Sequence, residues 1–349
     1  MQATAPFADL TPDAVLNAID AVGFATTGTL LALNSYENRV FQVGVDDPQR
    51  FVVAKFYRPG RWTDAQVLEE HVFTQELAEA EVPAVPPLAI GGRTLHRGAP
   101  PTAVAGEPAP GTGQPHPGYR FAVYPRRGGR APEIEDRNVR EWLGRFIGRI
   151  HAVGGRQPFA HRPALDVENF GDEPRAWLLE SRWLPHELRD VYAGVSAQAL
   201  DEVRRCYERA GAVRTIRLHG DVHVGNVLWT DSGSQPGPHF VDFDDARTGP
   251  AVQDLWMLLS GSREDRQAQL ADLLAGYEDF AEFDRRELLI VEALRTLRLI
   301  HYSAWIARRW DDPAFPAAFP WFDTPRYWEQ KILELREQVA AMGEPPLVA

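Results

Sequence analysis

The 349-residue chain has one cysteine, Cys206, and so cannot close an internal disulfide. Its expected place is inside a helix, as a small buried hydrophobe rather than a reactive thiol. Positive charge is in deficit: 37 Lys and Arg stand against 49 Asp and Glu, a net charge of −12. A nucleic-acid or membrane-surface binder needs a basic excess to pair with phosphates, so neither partner is expected. No apolar run approaches the ~20 residues of a membrane span. The opening residues MQATAPFADL lack the basic segment and apolar run of a secretory signal. These absences predict a soluble, cytoplasmic protein. What is present is an apolar content of 44%, enough over this length for two lobes or domains.

The chain is organised around Arg217 to Trp229 (RLHGDVHVGNVLW) and His239 to Asp244 (HFVDFD). The pattern is strand, tight polar loop, strand, turn, strand, acid. Asp221 stands on the loop five residues before Asn226, and Asp242 follows the next apolar strand. Phosphoryl transfer needs such a set. One carboxylate accepts the proton of an attacking hydroxyl, while an amide oxygen and a second carboxylate hold Mg2+ against the nucleotide phosphates. The spacing from His219 to Asn226 matches the His-x-Asp-x-x-x-x-Asn catalytic loop of eukaryotic-type kinases, with Gly220 in place of Arg and His223 added. Such residues also form ordinary turns, but here strands flank the loop and VDFD follows it. This version, HGDxHxxN, resembles the aminoglycoside phosphotransferase and choline kinase branch of the kinase-like superfamily.

Upstream, Thr11-Pro12-Asp13 starts a helix over 11–20. Strands are expected from Thr27 to Leu33, from Arg39 to Val43 and from Phe51 to Tyr57. Lys55 lies within the third strand, where burying an ammonium without a partner is costly. Its position after two strands near the N-terminus is that of a kinase lysine reaching the α- and β-phosphates. Thr63 and Gln66 form a capping box for a helix running to about Ala80. Val67, Glu70, Thr74 and Leu77 share one face of it. An acid on that face needs a cation, and Lys55 is the candidate. Glu69 is the alternative, with a solvated surface as its ordinary place.

Residues 97–118 are rich in Pro, Gly and Ala and form a flexible insertion inside a hairpin. A strand returns over Tyr119 to Tyr124, and residues 125–130 break it as a hinge. The expected division is an N-lobe over 1–124, the hinge at 125–130 and a helical C-lobe over 131–349. A helical pattern begins at Glu135, and two more helices are expected over 175–184, stopped by Pro185, and over 196–210. His151 and Asp254 read as structural, the latter as a cap or brace for the catalytic loop. Asp244 points the same way as Asp242 by strand alternation. From Arg263 onward the chain is helical, and the Trp- and Phe-rich stretch 305–322 packs in the core or floors an acceptor site.

Longer strings carry a closer resemblance: NSYENRV (34–40), FVVAKFYRPGRWT (51–63), LHGDVHVGNVLW (218–229), DDARTGPAVQDLWMLL (244–259) and DPAFPAAFPW (312–321). They are similar to the bacterial stress response kinase A family over nearly the whole chain. The resemblance implies an α+β, two-lobed protein-kinase-like fold with a β-rich N-lobe and a largely helical C-lobe. It implies a cytoplasmic, monomeric, ATP- and Mg2+-dependent kinase for Ser and Thr in proteins, tied to survival of oxidative and envelope stress. By motif, Asp221 is the proton acceptor, Asn226 and Asp242 are Mg2+ ligands, and Lys55 with Glu70 positions the phosphates. Ser35 lies in the loop over ATP. Two family features of larger kinases are missing: there is no Gly-rich GxGxxG, so NSYENR covers the phosphates, and no Ala-Pro-Glu segment or activation loop. The alternative is a small-molecule hydroxyl kinase of aminoglycoside, choline or homoserine type, which uses the same catalytic residues. The acidic balance suits a cationic acceptor in either case. A non-catalytic binder is disfavoured because Lys55, Asp221, Asn226 and Asp242 are all present.

Overall fold

The computed structural model describes residues 6–98, 118–231 and 236–349. The chain separates into two units, Met1–Gly128 and Gly129–Ala349.

In the first unit, α1 (Pro12–Ala21) precedes β1 (Thr26–Ala32), β2 (Arg39–Val45) and β3 (Phe51–Phe56). Then come α2 (Asp64–Glu79), β4 (His96–Gly98) and β5 (Tyr119–Pro125). The strands form one antiparallel sheet in the order β1-β2-β3-β5-β4. Period-2 alternation decides what each face of β3 meets. Val52, Ala54 and Phe56 join Val15 and Ile19 of α1, with Phe121 and Val123 of β5, in one core. Tyr57 lies on the opposite face with Val67 of α2 and Ala122. Lys55, at odd register with Tyr57, therefore faces α2. The capping box that starts α2 is formed: Thr63 accepts from the Gln66 N–H, and the Gln66 side chain accepts from the Thr63 N–H. The expected insertion at 97–118 lies, apart from residues 97, 98 and 118, outside the described residues.

The second unit opens with α3 (Arg137–Gly154), α4 (Glu173–Glu180) and α5 (His186–Ala210). Four short strands follow, β6 (Thr215–Leu218), β7 (Val227–Thr230), β8 (Gly237–Phe240) and β9 (Arg247–Pro250). They make two antiparallel ribbons, β6 with β9 and β7 with β8. The chain ends in α6 (Gln253–Trp256), α7 (Arg263–Tyr277), α8 (Val291–Ala307), α9 (Ala314–Ala318) and α10 (Pro325–Met342). α3 and α7 cross closely because glycines sit at the contact. A methyl group on Gly144 would collide with the Leu273 carbonyl oxygen, and one on Gly276 with that of Glu141.

One expectation is corrected here. Pro185 does not end a helix at 184 but begins one: α4 stops at Glu180, Pro185 is extended (φ −54°, ψ 137°), and α5 starts at His186. Its first turns, HELRDVYAG, are too polar to show an apolar stripe, so 3.6-residue periodicity locates the helix ten residues late. β9 is a strand that composition does not announce: RTGP has turn-forming residues, and pairing with β6 makes it a strand.

Candidate active site

Lys55 of the first unit is buried at 5% exposure, and Glu70 of α2 at 2%. Their Nζ and Oε1 are 3.8 Å apart. The carboxylate at that distance is the one on the apolar face of α2. The Lys55 ammonium also lies 5.3 Å from the centre of the Tyr57 ring. Ser35 sits in the turn between β1 and β2, where its hydroxyl donates to the Asn38 carbonyl at 3.1 Å. Asn38 is buried and its side-chain oxygen accepts the Arg58 N–H at 3.0 Å. Glu37 faces Arg58 and Arg61 at 3.6 and 3.7 Å. The NSYENR turn is thus tied to the segment that follows β3 by a side-chain amide and two ion pairs.

In the second unit β6 delivers the loop that carries Asp221. Three constraints shape it. The Asp254 carboxylate, fully buried at the start of α6, accepts the N–H groups of His219 (2.9 Å) and Gly220 (2.8 Å). His151 of α3 braces Asp254 at 3.1 Å and bonds the Tyr277 hydroxyl at 2.9 Å. Gln253 donates to the Gly220 carbonyl at 3.1 Å. Gly220 itself has φ +86°, and a methyl group there would strike the Asp245 carbonyl oxygen. Any other residue at this position is both strained and obstructed.

Beyond the turn, Asn226 is joined to Asp221: its Nδ2 donates to the Asp221 carbonyl at 2.9 Å and to Oδ2 at 3.3 Å. Its backbone carbonyl accepts the Val241 N–H at 3.0 Å, continuing the β7–β8 ladder by one step. Val241 is held from the other side by His219, whose Nε2 meets the Val241 carbonyl at 3.0 Å. The residue that follows is Asp242, exposed and in the left-handed region at φ 60°, ψ 62°. Asp and Asn tolerate that region best among residues with a side chain. The structure therefore brings Asp221, Asn226 and the backbone of Asp242 together in this unit, and Lys55, Glu70 and the Ser35 turn in the other.

Asp244 does not alternate with Asp242 as expected. β8 ends at Phe240, residues 243–245 form a 3-10 turn, and Asp244 is buried while Asp242 is exposed. Arg162 secures this turn, donating to the carbonyls of Asp244 (2.9 Å) and Ala246 (2.7 Å).

The electrostatics of Asp221 depend on two residues, one inside the motif and one that sequence reading passes over. Arg298 of α8 places Nη2 3.0 Å from Asp221 Oδ1, and His223 Nε2 is 3.4 Å from Oδ2. Burial pushes the Asp221 carboxyl up, but the His223 hydrogen bond and the Arg298 charge outweigh it and hold the group below the usual carboxylate range. His223 is visible in the motif. Arg298 has no local signal, since it reaches the loop from a helix far along the chain.

The chain as a whole matches known proteins. A model of the phosphotransferase enzyme family matches residues 29–289. Stress response kinase A of Escherichia coli K12 is 41% identical over 341 residues, covering 98% of this chain and 96% of that protein. The protein of Salmonella typhimurium named serine/threonine protein kinase RdoA is 40% identical with the same coverage. Among solved structures, amicoumacin kinase hAmiN, in complex with AMP-PNP, Ca2+ and Ami, has a TM-score of 0.68 at 16% identity, covering 95% of this chain and 93% of that one. A microcompartment-associated aminopropanol kinase has a TM-score of 0.67 at 19% identity, covering 96% and 98%. At those identities the structures establish the fold, a two-lobed α+β kinase-like one. The chain belongs to the phosphotransferase enzyme family, within its stress response kinase A group, and is a kinase.

Proposed function

We propose that the chain is an ATP- and Mg2+-dependent kinase that phosphorylates Ser and Thr hydroxyls of proteins. The observation that carries the reading is the hydrogen-bonded pair of Asp221 and Asn226, with Asp242 across the ribbon. Asp221 is the proton acceptor: it is ionised, half-buried and fixed by a braced loop, as a base for an alcohol must be. Asn226 spends its amide nitrogen on Asp221, and among the described residues its Oδ1 has no protein partner. One amide oxygen beside one carboxylate is a hard-oxygen set of the kind that holds Mg2+ together with phosphate oxygens and water. Among the described residues no group of three His, Cys, Asp or Glu forms a cage of its own. Asn226 and Asp242 would hold the ion, which when bound supplies charge neutralisation on the phosphate oxygens. Lys55, steadied by Glu70, contacts the α- and β-phosphates, and the Ser35 turn covers them with backbone N–H groups.

The protein acceptor is supported by the close relatives, 40–41% identical over almost their full length, of which one carries the name serine/threonine protein kinase. A cytoplasmic location is part of this reading. Among the described residues no helix is long and apolar enough to cross a membrane. The test is ATP turnover with purified acceptors, a set of Ser- and Thr-containing proteins against a panel of amino alcohols, sugars and aminoglycosides. Phosphate is expected on protein. Turnover confined to a small hydroxyl compound would replace this reading with that of a small-molecule kinase.

A further inference from the structure

An open cavity of about 630 Å³ in the second unit is walled by α6, α8 and α10, with Trp256, Arg295, Arg298 and Tyr302 on its sides. Arg298 is the element it shares with the site above, because the same guanidinium lies 3.0 Å from Asp221. Resting on the reading of Asp221 as the base, we propose that Arg298 selects the acceptor: it binds a carboxylate next to the hydroxyl that Asp221 activates. The preferred acceptor is a Ser or Thr within an acidic stretch of protein.

The argument is one of donors and acceptors. A guanidinium has five N–H donors in a rigid fork and no acceptor. Arg298 directs Nη2 at Asp221, and Asp221 is its one ion-pair partner among the described residues. Its side chain remains 38% exposed, so further donors are open to an entering group. Arg295 stands one helical turn earlier on the same face of α8, over Trp256 with its guanidinium 5.8 Å from the ring centre. Glu292 is its counter-ion, at 3.6 Å. The remaining cation, Lys331, is bound to Glu334 at 2.6 Å, which cancels both. Glu337, exposed, is a further carboxylate on the wall. Arg298 thus offers donors to a ligand beside Asp221, with Arg295 and two aromatic rings on the same wall. A carboxylate completes the fork with paired hydrogen bonds, whereas an ammonium meets the Arg298 guanidinium and finds no acceptor on it. A base must stand about 3 Å from the hydroxyl it serves, so an anion on the far edge of Arg298 belongs to a neighbouring residue of the same acceptor. The whole-chain charge of −12 points to a cationic acceptor; the wall beside Asp221 argues the reverse.

The experiment uses two peptides of equal length, each with one Ser, flanked by Asp in one and by Lys in the other. Phosphate transfer by the full chain is followed as KM and kcat for wild type, Arg298→Gln, Arg298→Lys and Arg298→Glu. Wild type is expected to prefer the Asp-flanked peptide. Arg298→Gln should raise its KM by about tenfold or more relative to the Lys-flanked one, the loss of a charge-assisted pair. Arg298→Lys should recover part of the preference, and Arg298→Glu should invert it. A fall in kcat shared equally by both peptides would reflect the Asp221 contact alone and overturn the inference. A wild-type preference for the Lys-flanked peptide overturns it too, while leaving the protein-kinase reading intact. Transfer to no peptide or protein at all removes both.

Discussion

A carboxylate that takes a proton has to be ionised when the hydroxyl arrives. Burial alone would work against Asp221, and His223 with Arg298 reverses that. The sign for activity follows. A base with a depressed pKa stays competent as pH falls and loses activity only below the ordinary carboxylate range. We predict that the acid limb of kcat against pH lies low in wild type and moves upward in Arg298→Gln, because one of the two lowering influences is gone. An acid limb unmoved by the substitution would show that Arg298 does not act on the base. At this scale the sequence is readable where spacing is short. Asp221, Asn226 and Asp242 are candidates because a loop and a two-stranded ribbon separate them. Lysine occurs at only two positions, 55 and 331, so a lysine within an apolar strand stands out in a chain that otherwise uses arginine. Arg298 and Arg162 reach the same loops from remote elements, and no local pattern announces them.

Elements hold these residues through a few buried polar contacts. Asp254 accepts two backbone N–H groups of the Asp221 loop and meets His151, all out of water. Asp254→Ala leaves those donors unsatisfied, and we expect a loss of stability on the order of 3 kcal/mol, read from urea unfolding. Unfolding unchanged from wild type would remove Asp254 as the brace. A second contact makes stability depend on pH. Glu287, in the turn before α8, accepts the Val252 N–H at 2.7 Å, and burial pushes its carboxyl up to about 7 from 4.5. The folded chain then holds a proton that the unfolded chain has released. The contribution is complete below the unfolded value of 4.5 and disappears as pH rises through about 7. Across that window Glu287 lowers stability by up to about 1.4 kcal/mol per pH unit. Glu287→Gln should flatten this slope; a slope equal to wild type would assign it to other groups. Element type is largely legible in the sequence, through the capping box of α2 and the apolar alternation of β3. α5 and β9 are not, because a polar first turn and an RTGP strand take their structure from what they pack against.

The whole molecule combines a sheet-rich unit that carries Lys55, Glu70 and the Ser35 turn with a helical unit that carries Asp221, Asn226 and Asp242. That split of chemistry follows the order of motifs along the chain, which is why fold class is readable from them. The acceptor is harder to read, since net charge averages over a whole surface and does not report the few side chains beside Asp221. If Asn226 and Asp242 hold Mg2+ with ATP, ligand should stabilise the folded chain by about 2.7 kcal/mol at a hundredfold excess over Kd. The Mg2+-dependent part of that gain should vanish in Asp242→Ala and persist in Asp221→Ala. The most direct measurement is transfer of the γ-phosphate by Asp221→Ala, taken together with its stabilisation by Mg2+–ATP. The account predicts that transfer is abolished while nucleotide stabilisation stays near that of wild type; transfer at the wild-type rate would contradict it.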